Sequence, residues 1–176
     1  MKIKQDMAKA MQTFDLPQFH QLPDMGLYLE QVVKYINSCL KPLRCPQVTS
    51  SMVRNYVKME LVHNPVKKQY YASHLAYLIV ITILKNAIPL EHIHTLFLRQ
   101  VQTYTEAVAY DYFCLELKNI LHFRFGLKDT VEDIGQTSSI EKEMLRSAVT
   151  AVSHIIFFNA CLDYLPPASE LESNEA

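Results

Sequence analysis

Ten residues from Leu75 to Leu84, LAYLIVITIL, form the longest apolar run in the chain, interrupted only by Thr82. A helix that is apolar on every side must be surrounded, so this run predicts a central helix from about His74 to Asn86. It falls well short of the roughly twenty residues that a membrane-spanning helix needs, which assigns it to a protein core. Only 3 glycines occur in 176 residues, too few for a turn-rich β protein. With helical apolar spacings on both sides of the run, the expected fold class is all-α. Hydrophobic residues at 49% and charged residues at 20% describe a soluble globular chain, long enough for one domain or one small domain with an extension.

Around this floor the elements read in order. Residues 1–23, with Pro17 and Pro23, show no sustained apolar face beyond the first dozen positions and are expected as a mobile start and an extended arm. Asp24 is the expected N-cap of a helix to about Leu40, with Leu29, Val32, Val33, Ile36 and Leu40 on its inner stripe. Pro42 and Pro46 end it. Ser73 or a neighbour caps the central helix, and Pro89 suits the first turn of the next, whose Leu90, Ile93, Leu96 and Phe97 face the floor. A long helical pattern follows from about Arg99 to Phe125. Val101, Tyr104, Val108, Leu115 and His122 lie on one side of it and Tyr110, Phe113, Leu117 and Leu121 on another, which implies two packing partners. Gly126 can end it. Ser138, with Glu141 in capping-box spacing, opens a last helix. There Ile140, Met144, Ala148, Ala151, Ile155, Phe158 and Leu162 make the stripe expected to be buried, before Pro166 and Pro167.

The stretch most specific for function is Thr49 to Tyr70, TSSMVRNYVKMELVHNPVKKQY. Thr49 and Ser50 open a helix with Met52, Val53, Tyr56 and Val57 inward and Arg54, Asn55 and Lys58 outward. After Leu61 the pattern breaks at His63, Asn64 and Pro65, and Lys67 and Lys68 follow. This reads as a helix-turn-helix head with a small basic wing, in which Thr49, Ser50, Arg54, Asn55, Lys58, Lys67 and Lys68 contact double-stranded DNA. The net charge of −1 hides the polarity that such binding needs. Between Lys41 and Leu75 stand Lys41, Arg44, Arg54, Lys58, Lys67 and Lys68 against Glu60 alone, whereas from Asp129 onward acids dominate. A merely solvated basic face is the bland reading of the same residues. Tyr56 and Tyr70 suit packing better than base stacking.

Other chemistry finds less support. The four cysteines, Cys39, Cys45, Cys114 and Cys161, show no CxxC pair and no secretory signal precedes them, which suits reduced thiols in a cytoplasmic protein. His92 and His94 fall on different helical faces, and His122, His154, Cys114 and Cys161 lack the close pairing of a structural zinc site, so no metal and no cofactor is expected. No glycine-rich phosphate loop, HExxH or GxSxG occurs, and the expectation is not an enzyme.

At VRNYVKMELV, continuing to YYASHLAYL and PLEHIHTLF, the order of features resembles the DNA-binding part of MerR-type regulators. Val53, Arg54, Tyr56, Leu61, Val62 and Tyr70 fall at matching positions, and Glu60 stands where those regulators usually have glycine. The blocks LYLEQVVKYIN, SMVRNYVKMELV, KKQY and HLAYLIVITILK, from about Leu27 to Leu98, are more closely similar to a bacterial family catalogued as domain of unknown function 1836. That resemblance implies a helix-turn-helix fold in a bacterial cytoplasm and no activity that transfers residue by residue. The organisation expected is an N-terminal arm 1–23, a MerR-like helix-turn-helix domain 24–98, a C-terminal antiparallel helix pair 99–165 and an acidic tail 166–176. The function expected is DNA-binding transcription regulation, with a protein-interaction module as the alternative. The C-terminal helices are the expected place for homodimer contacts or an apolar effector pocket, although no sustained heptad seam is visible.

Overall fold

The computed structural model describes residues 2–135 and 138–165, and among these the backbone forms seven α-helices with only isolated β-bridges between them. They are α1 (Lys2–Gln12), α2 (Leu29–Leu40), α3 (Ser50–Lys58), α4 (Ala72–Leu84), α5 (Leu90–Gln100), α6 (Glu106–Arg124) and α7 (Ile140–Leu162), with 3-10 turns at Phe19–Gln21 and Lys41–Leu43. The all-α class expected from the sequence is the class observed. The acidic tail and the helix stop at Pro166 and Pro167 lie outside the described residues.

α4 is the floor that its composition requires. All of its residues except Ser73 and Tyr77 are buried, and α2, α5, α6 and α7 pack on it. Its cap differs from the one expected. Tyr71 donates its backbone N–H to His74 Nδ1 at 3.0 Å, and Ala72 donates to Asp24 Oδ1 at 3.3 Å. Asp24 therefore serves α4, and α2 starts later, where the Gln31 side chain accepts the Tyr28 N–H at 2.9 Å. In both helices the third residue reaches back to satisfy an orphan donor of the first turn.

The N-terminal segment is not an extended arm. Met7, Met11 and Phe14 keep i, i+4, i+7 spacing, and with Leu16 and Leu22 they are buried, with α1 packing on α6. Asp15 pairs with Lys118 at 2.8 Å and the Phe19 N–H reaches Asp111 Oδ1 at 2.7 Å. One buried cluster runs from Met7 to Ala160.

The pattern expected as one helix from Arg99 breaks at Val101–Tyr104, and Thr105 caps α6 through the Val108 N–H at 3.4 Å. Only one of its two apolar sides is buried: Tyr110, Phe113, Leu117 and Leu121 are inside, whereas Val101, Tyr104, Val108 and Leu115 are exposed. Gly126, at φ 75°, closes α6 as expected, with Leu127 N–H bonded to His122 O at 2.8 Å.

α6 and α7 are neighbours, but they run in the same direction and not antiparallel. Glu116 meets Arg146 and, further along both helices, Arg124 meets His154 and Phe125 meets Phe157. The connection makes this possible by returning along α6. Asn119 exchanges two hydrogen bonds with the backbone of Glu132, at 2.8 and 3.1 Å, and the Tyr112 hydroxyl donates to Ile134 O at 3.2 Å. α7 then starts back beside Tyr112, capped by Ser139, not Ser138, through the Lys142 N–H at 3.2 Å.

α7 also presents the opposite face to the core from the one expected. Leu145, Ala148, Val149, Val152, Ile156 and Ala160 are buried; of the expected stripe only Ala148 is among them. Ile140, Met144, Ala151, Phe158 and Leu162 are exposed and Ile155 is half-buried. By length and composition α7 is apolar enough to cross a membrane, and its inner face packs on α4, α5 and α6.

Candidate nucleic-acid interface

α3 starts where its sequence says it should. Thr49 Oγ1 accepts the Met52 N–H at 3.3 Å, an ordinary N-cap. Val53 and Tyr56 are buried, α3 packs on α2, and Arg54, Asn55 and Lys58 are exposed. Lys85 from α4 underpins the helix: its ammonium donates to the Tyr56 hydroxyl at 3.2 Å.

The turn that follows is built on a residue poorly suited to it. Glu60 has φ 59°, the left-handed region, while the N–H groups of Leu61 and Glu60 bond Tyr56 O and Val57 O, both at 3.0 Å. That is the bonding pattern glycine usually supports at a helix end. A left-handed side chain costs roughly 1–2 kcal/mol. Glu60→Gly is therefore expected to stabilise the protein by about 1 kcal/mol, since part of the gain is lost to the greater freedom of glycine in the unfolded chain. That amounts to a rise of about 2–4 °C in Tm. Thermal unfolding followed by circular dichroism checks it; an unchanged or lower Tm would show that the turn is not strained.

A hairpin comes next. Val66 and Gln69 exchange backbone hydrogen bonds at 3.0 and 2.9 Å, and Tyr70 pairs with Leu27 through two bonds of 2.8 Å. The two residues at its tip are Lys67, φ 49°, and Lys68, φ 65°. Two successive left-handed residues make the turn that Asn-Gly forms most readily, and lysine is disfavoured at both positions. Gly26, at φ 78°, lets the backbone before Leu27 pass close by, because a Cβ there would come within 3.1 Å of the Gln69 side chain. His74 holds the base of the loop. Since its Nδ1 accepts from Tyr71, its proton sits on Nε2 and is donated to Asn64 O at 3.2 Å. Glu106 of α6 meets His63 of the loop at 3.5 Å and accepts from the Ser73 hydroxyl at the start of α4 at 2.6 Å.

The seven residues picked out by the sequence separate into two groups. Thr49 is occupied in capping, the Ser50 hydroxyl donates to Glu30 at 2.8 Å, and the Asn55 amide donates to Met59 Sδ at 3.3 Å. Arg54, Lys58, Lys67 and Lys68 are exposed, and among the described residues none of them has an ion-pair partner. Burial raises the pKa of the Tyr70 phenol, and the nearby Arg54 charge opposes that rise. Arg44, counted among the basic residues of this segment, belongs elsewhere: it pairs with Asp163 at 2.5 Å and donates to Ala160 O at 3.3 Å. Sequence reading missed Gly26, His74 and Lys85. Only His74 carried a signal, as a side-chain acceptor at the third position of a helix.

Elsewhere, the four cysteines are free thiols. Burial pushes Cys114 up to about 12 and Cys45 up to about 11, so both stay protonated and poorly nucleophilic near neutrality. Among the described residues no three histidine, cysteine or carboxylate side chains gather as a metal site. A cavity of about 240 Å³ lies between α5, α6 and the start of α7, lined by Leu96, Tyr104, Val108, Tyr112 and Leu145. It falls just below the roughly 300–1,000 Å³ typical of small-molecule sites.

No curated protein and no solved structure matches the chain. One family model does match, that of domain of unknown function 1836 (DUF1836), over residues 17–113. The match runs from the segment before the Phe19–Gln21 turn into the middle of α6 and takes in α2, α3, the hairpin, α4 and α5. With more than half of its length matched, the chain belongs to the DUF1836 family.

Proposed function

We propose that the protein is a cytoplasmic regulator that binds double-stranded DNA, with α2 and α3 as a helix-turn-helix and the Lys67–Lys68 hairpin as a minimal wing. The reading is supported chiefly by the hairpin tip, where two lysines occupy a turn that would be more stable with asparagine and glycine. Strain kept at an exposed, charged tip suits a residue chosen for what it contacts. Arg54 and Lys58, exposed on α3 without an ion-pair partner among the described residues, add two more cations to the same stretch of chain. The Leu27–Tyr70 bridge before and after the helix pair fits the MerR-like order of elements. In this arrangement α3 enters the major groove, where Arg54 reaches base edges, and the lysines hold the flanking phosphates.

The test separates strain from function. Lys67→Asn combined with Lys68→Gly keeps the turn, relieves both left-handed side chains and removes two cations. The variant is expected to melt at a higher temperature than the parent. It should bind random-sequence duplex more weakly, with the slope of log affinity against log salt reduced by about 1 per lysine. Arg54→Ala, assayed on duplexes selected from a random pool, is expected to cost about 1–3 kcal/mol and to relax sequence preference. A parent that ignores duplex DNA at low salt would sink the proposal and leave the protein-interaction module as the reading of this fold. Equal binding by parent and hairpin variant would remove the lysines from the interface.

A further inference from the structure

The cavity between α5, α6 and the start of α7 has a mouth, a floor and a polar group with nothing to bond. Tyr104 and Val108 on its walls are 39% and 55% exposed, whereas Leu96, Ala109 and Leu145 are buried, so it leads from solvent into the core. The same three buried residues also line a narrower pocket bounded by Val80 of α4 and Phe113 of α6, which sets the floor against the central helix. Half-buried Gln100, the last residue of α5, lines both spaces. Among the described residues its side-chain amide has no hydrogen-bond partner. The charges on the wall are already matched. Lys142 is held by Asp133 at 2.7 Å and by Gly135 O at 3.4 Å, and Glu141 lies 3.9 Å from Arg99. Burial pushes the Tyr112 phenol up to about 12, and its hydroxyl donates to Ile134 O, so that ring stays neutral.

We propose that this cavity binds a small uncharged aromatic molecule, the size of two fused rings, with one hydrogen-bonding group held by the Gln100 amide. Size sets the first limit. Folded interiors keep few voids larger than a water molecule. A dry apolar cavity of roughly 150 Å³ takes one benzene ring, and the 240 Å³ here has room for a second ring but not for a drug-sized ligand. Water is a poor occupant, because a buried water needs two to four polar partners and these walls are mostly apolar. Shape sets the second. The Tyr104 and Tyr112 rings on the walls favour a flat partner that they can meet edge to face or offset. Charge sets the third, since an ion would leave water for a wall whose counter-charges are already taken. The inference is independent of DNA binding and survives its failure.

2-Naphthol, naphthalene and 2-naphthoate share one ring system and differ only in the group it carries. Titrated into the full chain and followed by naphthol fluorescence and calorimetry, 2-naphthol is expected to bind once per chain with a Kd of about 10–100 μM, within reach of a ligand of about eleven non-hydrogen atoms. Naphthalene should bind about three- to tenfold more weakly, the worth of one hydrogen bond, and 2-naphthoate more weakly still. Gln100→Leu should bring 2-naphthol down to the level of naphthalene without weakening naphthalene itself. Ala109→Phe, which fills the floor, should abolish binding of both while melting cooperatively. Should Ala109→Phe fail to fold, Gln100→Leu at its half-buried helix end still decides the matter. No saturation by 2-naphthol at about 1 mM would overturn the proposal, as that is far above the expected Kd. Unchanged discrimination in Gln100→Leu, or full binding by a folded Ala109→Phe, would do the same. So would tighter binding of 2-naphthoate, which would assign the polar contact to Lys142 and the ligand to the anions.

Discussion

Replacing Arg146 by Ala is expected to lower the unfolding free energy by about 3–5 kcal/mol, the usual cost of leaving a buried charge without its partner. Glu116 is that charge. Its side chain is fully buried in α6, one carboxylate oxygen has no hydrogen-bond partner, and the other is held by Arg146 Nε at 2.5 Å. Arg146 also donates to Glu132 O at 2.7 Å and lies 3.7 Å from Asp133, so one guanidinium joins α6, α7 and the returning connection. The hydrogen bond to Glu116 raises the Arg146 pKa above the ordinary arginine value. A raised folded-state pKa contributes stability that is complete below the unfolded value, which for arginine lies far above neutrality, so the arginine's ionisation gives this clamp no pH dependence near pH 7. Urea unfolding measures the loss. Glu116→Gln in the Arg146→Ala background is expected to recover part of it by removing the stranded charge, and the double-mutant cycle gives the coupling. A loss below about 1 kcal/mol for Arg146→Ala would mean that Glu116 is solvated or neutral without its partner.

Phe14→Ala is expected to cost about 3–5 kcal/mol, as for other buried phenylalanines. Phe14 sits just after α1 among the residues of the main core, and its backbone N–H bonds Met11 O at 3.1 Å. For a domain whose total stability is about 5–15 kcal/mol, that loss could leave a visible unfolded fraction at 37 °C. The control is Thr13→Ala, at the exposed neighbouring position, which should change the urea midpoint little. If Phe14→Ala and Thr13→Ala behaved alike, residues 1–16 would not be part of the cooperative unit.

What the sequence revealed depended on whether one signal or two competed at each place. The Leu75–Leu84 run had a single reading, and α4 lies where it points. Thr49, with the polar and apolar alternation after it, likewise set the start of α3, although the pattern read on to Leu61 and the helix ends at Lys58. Caps were harder. Asp24 and Ser73 are good N-cap residues by type, but Gln31 and His74, three positions inside their helices, supply the bonds, and a side chain reaching backward leaves no mark at the cap itself. α7 failed differently. It is apolar on both faces, so spacing selected a stripe without showing which stripe the rest of the chain would cover. The direction of α7 hung on Asn119, Tyr112 and Arg146 gripping the backbone between Glu132 and Ile134, contacts across 13 to 22 positions that no local pattern announces. At the candidate interface the four cations were legible as charges. The left-handed backbone beneath Lys67 and Lys68, which makes them notable, was not.

The grip of Arg44 on the last turn of α7 has a consequence for how the chain is made. Arg44 bonds Ala160 O and Asp163, partners more than a hundred residues downstream, and the guanidinium lies over the Tyr164 ring. During synthesis the α2–α3 region leaves the ribosome with α4 still lacking α7, so the part of α4 that α7 covers stays open until α7 has been made. Helical proteins owe their speed to contacts between near neighbours in sequence. Here most contacts are also local, but Arg44 waits for partners more than a hundred residues on, so the last step of core closure should come after α7 has formed.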